Sequence, residues 1–269
     1  MSESRIRAAL NHLPIPALRY LDKTGSTNDD ALQWAARGAP HLALVAADRQ
    51  TAGRGRLGRS WQTLPGAALA FSLVLRPAAP ARDWLALYSP LGALAVSLAL
   101  ENGWHLAPQI KWPNDVLLGG RKVCGVLAEA AWQGDRLQAV VLGIGINVAP
   151  SAVPPESLLI FPATCVEAYS GSPLDRWQLL ARVLEQLLAR LGDVGSPAFL
   201  RDWQDRLAYL GQPIRLEDST GKVVTGKLAG VTSQGQLRVQ LADASEACFS
   251  AGDVRLRPTD EMPHPSGGG

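Results

Sequence analysis

The chain has 269 residues, of which 47% are hydrophobic and 19% are charged, and its formal net charge at pH 7 is +2. This length is enough for one large domain, or for one large and one small domain, with a buried core. The small net charge excludes a polycation, so any binding of nucleic acids or anions must come from a local cluster of basic residues.

Cysteine spacing and the apolar segments bear on the compartment. The three cysteines, Cys124, Cys165 and Cys248, include no CxxC pair. This pattern favours a reducing compartment over a disulfide framework or a zinc site. The N-terminus lacks the apolar stretch of a secretory signal, and the apolar run 84–100 is short for a membrane span, so we predict a buried helix there. We therefore expect a soluble, cytoplasmic protein without membrane contact.

The first part of the chain predicts strands and helices in mixed order. A strand at 18–21 leads into Ser26-Thr27-Asn28, which are good N-cap residues for a helix that ends near Arg37. The following elements are strands at 42–47 and 68–75, a helix near 91–101 ending at Asn102-Gly103, β segments at 109–112, 116–118, 123–131 and 137–148 with glycine turns at 119–120 and 134–135, and helices at 174–191 and 197–210.

After Gly211 the pattern changes to short apolar pairs every 8 to 12 residues, which is typical of a small antiparallel barrel. The predicted strands contain Ile214 and Leu216, Val223 and Val224, Leu228 and Val231, Leu237, Val239 and Leu241, and Val254 and Leu256. The sequence therefore predicts an α+β, mixed-sheet domain over 1–210, a small β domain over 211–258 and a disordered tail over 259–269.

A loop rich in glycine and arginine, residues 53–59 with the sequence GRGRLGR, is the most distinctive segment. Its glycines allow close backbone approach, and its guanidinium groups suit carboxylate and phosphate oxygens. The spelling is close to that of a P-loop, but a P-loop must lead into a helix, and here Pro65-Gly66 follows. An anion-binding loop, a solvated basic loop and a nucleic-acid contact stay open. We refer to these residues as the Gly/Arg loop.

Three further segments carry candidate functional residues. Residues 111–115 (KWPND) present a cation, an aromatic face, an amide and a carboxylate, although a strand-turn corner would have the same pattern. Lys122 begins a strand after a glycine turn and is either a cleft residue or an exposed hairpin lysine. Gly143 and Gly145 leave one face of a strand bare, either for a flat group or for a closely packed helix.

Together, and in this order, these motifs resemble the biotin protein ligases. The resemblance covers about residues 18–257 and rests on Ser26-Thr27-Asn28, Gln50-x-Ala52-Gly53-Arg54-Gly55-Arg56, Lys111-Trp112-Pro113-Asn114-Asp115, Arg121-Lys122-x-x-Gly125 and Gly143-x-Gly145-Ile146-Asn147. It implies a catalytic domain like that of class II aminoacyl-tRNA synthetases and an SH3-like C-terminal β-barrel. It also implies a two-step reaction. ATP and biotin, with Mg²⁺, give biotinyl-5′-AMP and pyrophosphate, and biotin then passes to a lysine of a biotin carboxyl carrier protein.

The resemblance assigns roles to individual residues. For biotin it implies Ser26, Thr27, Gln50, Gly53, Arg54, Arg56, Lys122, Gly125, Gly143 and Gly145. For ATP and the adenylate it implies Arg56, Arg59, Trp61, Lys111, Asn114, Asp115, Asn147 and Arg257. Lys122 and Arg54 are the catalytic candidates, and no protein metal ligand is assigned.

The partner implied is the carrier subunit of acetyl-CoA carboxylase, and a homodimer is compatible with the family. Only 25 residues precede Ser26, too few for the DNA-binding domain of bifunctional members, so we expect no DNA binding. The alternatives are a lipoate–protein ligase or another carboxylate-adenylating ligase of the same fold, and a non-enzymatic anion- or nucleic-acid-binding module. The RRxxGGG and VxHD signatures of lipoate ligases are absent from the sequence.

Overall fold

The large part of the protein is built on a seven-stranded mixed sheet, seen in a computed structural model that describes residues 2–77, 81–218, 220–251 and 254–258. The strands are β1 (Leu18–Leu21), β2 (Ala43–Ala47), β3 (Ala68–Leu75), β4 (Gln109–Lys111), β5 (Asp115–Leu118), β6 (Arg121–Gln133) and β7 (Arg136–Asn147), in the order β1-β2-β3-β7-β6-β5-β4. β1 and β2 are parallel, and the other neighbours are antiparallel. The predicted mixed sheet is confirmed.

Helices cover both faces of this sheet, which is why strand β3 is buried along its whole length. They are α1 (Ser2–Ala9), α2 (Thr27–Ala36), α3 (Tyr88–Trp104), α4 (Glu167–Ser170), α5 (Arg176–Leu191) and α6 (Pro197–Gln204). Successive side chains of a strand point to opposite faces. Accordingly Leu73 belongs to the main core with α3 and α5, whereas Val74 belongs to a smaller core beneath α2.

Helix α3 confirms the buried helix that we predicted from the apolar run. The segment Trp84–Trp104 is long and apolar enough to cross a membrane, but 72% of its most apolar window is buried inside the fold. The predicted end at Asn102-Gly103 is wrong, because the helix continues to Trp104 and His105 takes the left-handed conformation, with φ 54°. A Cβ on Gly103 would lie 3.0 Å from the Arg182 side chain, so this glycine serves helix packing.

The C-terminal strands form a five-stranded antiparallel sheet in the order β11-β10-β9-β8-β12. They are β8 (Pro213–Asp218), β9 (Val223–Val231), β10 (Leu237–Gln240), β11 (Glu246–Phe249) and β12 (Val254–Pro258). Two predicted strands are one continuous β9, and β11 was not predicted because it carries no regular apolar alternation. The predicted tail at 259–269 lies outside the described residues.

Helix α6 is shorter than predicted because the chain after it pairs with the edge strand β4. The backbone N–H of Ala208 donates to the carbonyl of Ile110 at 2.9 Å, and the N–H of Ile110 donates to the carbonyl of Arg206 at 2.6 Å. Strand β4 itself ends at Lys111, one residue earlier than predicted, and the peptide bond before Pro113 is cis.

The two sheets share buried contacts. Leu216 and Leu237 of the C-terminal sheet belong to the same buried cluster as Trp203 of α6. The indole N–H of Trp112 donates to the carbonyl of Gly235, in the β9–β10 turn, at 3.0 Å. The domain boundary after residue 210 stays a prediction. All three cysteines are free thiols, and the cytoplasmic location likewise stays a prediction.

Candidate active site

A cleft of about 530 Å³ lies over the large sheet, between the Gly/Arg loop, the KWPND corner and strand β12 of the C-terminal sheet. Every predicted site residue except Gly53 lines it. These residues are Ser26, Thr27, Gln50, Arg54, Arg56, Arg59, Trp61, Lys111, Asn114, Asp115, Lys122, Gly125, Gly143, Gly145, Asn147 and Arg257. The fold therefore brings together segments that are far apart in sequence, while their individual roles stay predictions.

The start of helix α2 forms one end of the cleft. Ser26 occupies the N-cap position, but its hydroxyl makes no capping hydrogen bond, so this part of the prediction is wrong. Gln50 satisfies the helix end instead, since its Oε1 accepts from the Thr27 N–H at 2.8 Å and from the Thr27 hydroxyl at 3.1 Å. The Gln50 amide nitrogen donates to Thr63 Oγ1 at 3.0 Å. This end thus presents fixed amide and hydroxyl groups.

The Gly/Arg loop is a closed turn. The N–H of Gly55 donates to the carbonyl of Arg59 at 2.7 Å, and the N–H of Trp61 donates to the carbonyl of Gly53 at 2.8 Å. Only a short 3₁₀ turn, Arg56–Gly58, occurs within it, and no α-helix follows, which excludes a P-loop. A Cβ on Gly53 would lie 2.9 Å from the Gln50 amide nitrogen. Gly53 therefore allows the Gln50 side chain to pack closely against the loop, although Gly53 itself does not line the cleft.

Lys122 forms a short ion pair inside the cleft. Its Nζ lies 2.6 Å from Asp115 Oδ1, and the two side chains are 23% and 16% exposed. The alternative of an exposed hairpin lysine is therefore excluded. Both residues belong to the β5–β6 hairpin. Asp115 stands opposite Gly125, which has no side chain, and Lys122 precedes Gly125 on the same strand. Such a partly buried pair holds the ammonium group in one orientation at the cleft wall.

A glycine surface forms the floor of the cleft, and the Trp61 indole lies on it. Gly125 and Gly145 are directly paired between β6 and β7. A Cβ on Gly145 would overlap the Trp61 ring, and one on Gly125 would lie 3.2 Å from both Trp61 Cζ3 and Lys122 Nζ. Gly143 meets the Asn28 side chain in the same way. The bare strand face thus accepts a flat group at Gly145 and a side chain of the closely packed helix α2 at Gly143, so each of our two alternatives holds at one glycine, and α3 packs on the opposite face through Val126.

Arg56 connects the Gly/Arg loop to two other parts of the cleft. Its guanidinium donates to Asn114 Oδ1 at 3.4 Å and to the carbonyl of Ala251 in the C-terminal part. Burial lowers the pKa of Arg56; nearby Asp115 opposes this, and Arg59 adds to it. Asn114 is itself fixed, because its amide nitrogen donates to the carbonyl of Val126 at 2.7 Å.

Three other predicted residues have contacts of their own in the cleft wall. The Nζ of Lys111 lies 3.4 Å from the ring centroid of Phe161. The amide nitrogen of Asn147 donates to the carbonyl of Thr164 at 3.0 Å and so fixes the chain after β7. The guanidinium of Arg257 donates to the carbonyl of Leu256 at 3.1 Å.

Arg54 makes contacts that its predicted role does not require. Its guanidinium donates to Asp29 Oδ1 at 2.6 Å and to both oxygens of Glu129, at 2.9 and 2.7 Å. Burial opposes the charged form, but the hydrogen bonds and charges of Glu129 and Asp29 outweigh it and raise the pKa of Arg54. The direct contact with biotin implied for Arg54 stays a prediction, and these carboxylates compete with it.

Comparison with known proteins identifies the family. Residues 20–147 match the Biotin/lipoate A/B protein ligase family, and residues 209–257 match the Biotin protein ligase C terminal domain. The biotin–[acetyl-CoA-carboxylase] ligase of Paracoccus denitrificans is 38% identical over 81% of this chain and 91% of its own length. The corresponding ligase of Mycobacterium tuberculosis is 35% identical over 88% of each chain. This chain belongs to the biotin protein ligase family.

Solved structures of the family agree with this assignment. The biotin protein ligase from Aquifex aeolicus, in complex with biotin and ATP, superposes with a TM-score of 0.77 at 29% identity. The match covers 90% of this chain and 99% of that one. The fold described above therefore matches that ligase over nearly its whole length.

Sequence reasoning missed two groups of residues in this biotin protein ligase. The first group is polar and lies behind the cleft: Asp29, Ser72 and Glu129, which bond to Arg54 or to Asn28 of the Ser26-Thr27-Asn28 motif. The second is apolar, because Leu158 and Ile160 line the cleft although they are 65% and 70% exposed. An acid within an otherwise apolar strand, as Glu129 is, and isolated apolar residues after a proline-rich segment are the signals that would have indicated them.

Proposed function

We propose that the cleft binds biotin and ATP side by side, joins them as biotinyl-5′-AMP, and transfers biotin to a lysine of a biotin carboxyl carrier protein. The chain is an ATP-dependent biotin protein ligase by its family, and such an enzyme forms an amide bond. The observation that carries the proposal is the Lys122–Asp115 pair. The pair supplies an oriented cation in the same cleft that Thr27, Gln50 and the arginines of the Gly/Arg loop line, which supports the proposal.

In the first step a biotin carboxylate oxygen attacks the α-phosphorus of ATP, and pyrophosphate leaves with the electrons of the broken P–O bond. Two anions must approach each other, so the site has to supply positive charge. Lys122, Arg56 and Arg59 line the cleft and carry that charge. Lys122 is the catalytic candidate because Asp115 holds its ammonium within the cleft.

In the second step the amine of the carrier lysine attacks the carbonyl carbon of biotinyl-5′-AMP, and AMP leaves. The mixed anhydride must be kept from water until the carrier arrives. The Gly/Arg loop is suited to cover it, since Arg56 contacts both Asn114 and the C-terminal part around Ala251.

Biotin recognition is assigned to the end of the cleft at helix α2. Ser26, Thr27 and Gln50 offer the hydroxyl and amide groups that a cyclic urea requires, and Gly143 and Gly145 leave room beside them for the side chains of Asn28 and Trp61. A site built to hydrogen-bond a polar ring discriminates strongly against acids that lack it. This favours biotin over lipoate, which has no ureido group.

Mg²⁺ fits this cleft only with help from the nucleotide. Among the residues that the structure describes, no group of three or more His, Cys, Asp or Glu could hold a metal ion. Asp115 is the one acid among the described lining residues, and it is paired with Lys122. The described lining residues therefore do not form a Mg²⁺ site by themselves, and Mg²⁺ would enter with ATP and would neutralise charge on its phosphates.

The finer fold assignment and the partners belong to the same proposal. The largely antiparallel large sheet supports a fold like that of class II aminoacyl-tRNA synthetases, and the five short antiparallel strands support an SH3-like barrel. The names of the relatives from Paracoccus and Mycobacterium support an acetyl-CoA carboxylase subunit as the carrier. The homodimer and the absence of DNA binding stay predictions.

The experiment that tests the proposed function is exchange of labelled pyrophosphate into ATP by the purified protein. We expect exchange that depends on biotin and is not supported by lipoate. Exchange that lipoate supports and biotin does not would show that lipoate is the substrate instead of biotin. Salt-sensitive binding of oligonucleotides without any exchange would support the binding-module alternative instead.

A further inference from the structure

The carboxylates of Asp29 and Glu129 hold the guanidinium of Arg54 from two different elements. Asp29 lies in the first turn of α2, and Glu129 lies in the middle of β6. Glu129 binds in the two-pronged geometry that suits a guanidinium, with N–O distances of 2.9 and 2.7 Å, and Asp29 adds a contact of 2.6 Å. We refer to these three residues as the Arg54 triad.

The charge balance of the triad argues against Arg54 as a direct ligand. One guanidinium faces two carboxylates, so the group carries a net negative charge. A substrate carboxylate or phosphate would have to displace Glu129 or Asp29 and would meet repulsion from both. Arg54 is therefore better placed to hold the loop than to bind an anion.

Glu129 also contacts the end of the cleft assigned to biotin. Its Oε2 accepts from the Asn28 amide nitrogen at 2.7 Å, and Asn28 Oδ1 lies 2.6 Å from the hydroxyl of Ser72. Ser72 is fully buried and also lies 2.8 Å from Thr27 Oγ1. Hydrogen bonds thus run from Arg54 through Glu129 and Asn28 to Ser72, whose hydroxyl lies next to Thr27.

We propose that Glu129 is a positioning residue of the ligase, and that Arg54 acts through it. Glu129 fixes the first half of the Gly/Arg loop through Arg54 and fixes the biotin-facing turn of α2 through Asn28. The inference rests on the proposed function, because it names how the biotin end and the loop are held in register. Loss of the Glu129 charge should therefore weaken biotin binding and loop closure, and should leave the chemistry at Lys122 nearly intact.

The first test needs no ligand. Trypsin cleaves after arginine, so the rate of cleavage after Arg56 and Arg59, followed by mass spectrometry, reports how often the loop opens. We expect Glu129→Gln to raise this rate at least several-fold. Glu101→Gln is the matched control, since Glu101 binds Arg206 in the same two-pronged way, with similar exposure, far from the loop. Equal cleavage rates in both variants would overturn the proposal.

The second test separates positioning from direct binding by kinetics. In the pyrophosphate exchange assay we expect Glu129→Gln to raise the KM for biotin about 10- to 100-fold, with kcat changed less than about threefold. Asp29→Asn should have a smaller effect of the same kind, because Asp29 makes a single contact and is 49% exposed. A loss confined to kcat, with KM unchanged, would contradict the assigned role.

A double-mutant cycle decides how Arg54 acts. If Arg54 acts only through the triad, Arg54→Met combined with Glu129→Gln should be no worse than the more damaging single variant. If Arg54 binds substrate directly, the two effects multiply and the proposal fails. If Glu129→Gln does not fold, the same cycle is run with Asp29→Asn. If the wild-type protein shows no biotin-dependent exchange, the proposed function is refuted. The role of Glu129 in holding the Gly/Arg loop is then still tested by the trypsin cleavage rates.

Discussion

The Nζ of Lys122 lies 2.6 Å from Oδ1 of Asp115, in a pair that is largely shielded from water. The pair joins the KWPND motif to the Arg121-Lys122-x-x-Gly125 motif across one β hairpin. It leaves the ammonium beside the glycine floor, where a Cβ on Gly125 would lie 3.2 Å from it. The ammonium of Lys122 therefore has a fixed position in the cleft wall, as its proposed role requires.

Lys122→Ala should abolish adenylate formation. Removal of one group that stabilises developing negative charge costs about 10²- to 10³-fold in rate, and Lys122 is the oriented cation of the cleft. We expect pyrophosphate exchange to fall by at least this factor while the melting temperature shifts by only a few degrees. Lys222→Ala, at the β8–β9 turn of the other sheet, is the control. Retained exchange in Lys122→Ala would remove Lys122 from the mechanism.

Gly145→Ala should displace the Trp61 indole, because the added methyl group would occupy the space of the ring. We expect a loss of about 1–3 kcal/mol in stability from overpacking and a clear rise in the KM for biotin. Gly192→Ala is the control, since Gly192 has φ −74° and a methyl group added there would meet no atom within 4 Å. An unchanged KM in Gly145→Ala would show that the floor does not contact biotin.

Arg56→Ala should loosen the Gly/Arg loop from the C-terminal part, because Arg56 bonds to the carbonyl of Ala251. We expect the KM for ATP to rise about tenfold, the size expected for loss of a hydrogen bond to a charged group. Biotinyl-5′-AMP should also leave the enzyme faster, which can be measured by filtration of the loaded enzyme over time. Arg238→Ala, an exposed arginine paired with Glu246, should change neither quantity.

Asp175→Ala should destabilise the fold by about 1 kcal/mol, because Asp175 caps helix α5 by accepting from the Trp177 N–H at 2.8 Å. Burial opposes ionisation of Asp175, but the Trp177 N–H and Arg5 outweigh it and lower its pKa from 3.8. A pKa lowered by folding means that this stability is present at neutral pH and is lost as the pH falls below 3.8. Urea unfolding should therefore distinguish the variant at pH 7 and hardly at all at low pH, with the exposed Asp193→Ala as control.

The elements that could be predicted are those with a strong local signal. Strand β3 has the predicted bounds because its apolar run is continuous, and the β5–β6 and β6–β7 hairpins follow from their glycine turns. The end of α3 was mispredicted because Gly103 allows the side chain of Arg182, which is distant in sequence, to pack against the helix.

The same limit applies to the cleft. The lining residues were predictable because they lie in compact motifs, which the fold brings together. The contact between Arg54 and Glu129 joins residues 75 positions apart, and no short motif contains both. Sequence reasoning thus found the polar and glycine residues that face the cleft, but missed the apolar Leu158 and Ile160 and the polar residues that hold Arg54 in place.

Trp112 connects the KWPND motif to the C-terminal part of the chain. Trp112 lines the cleft together with Lys111, Asn114 and Asp115, yet the residue is only 3% exposed, and its indole N–H donates to the carbonyl of Gly235 in the β9–β10 turn. The C-terminal sheet thus helps to form the cleft and packs against the large sheet through buried contacts. The whole protein should unfold in one cooperative transition, and a cut near residue 210 should cost nucleotide affinity as well as stability.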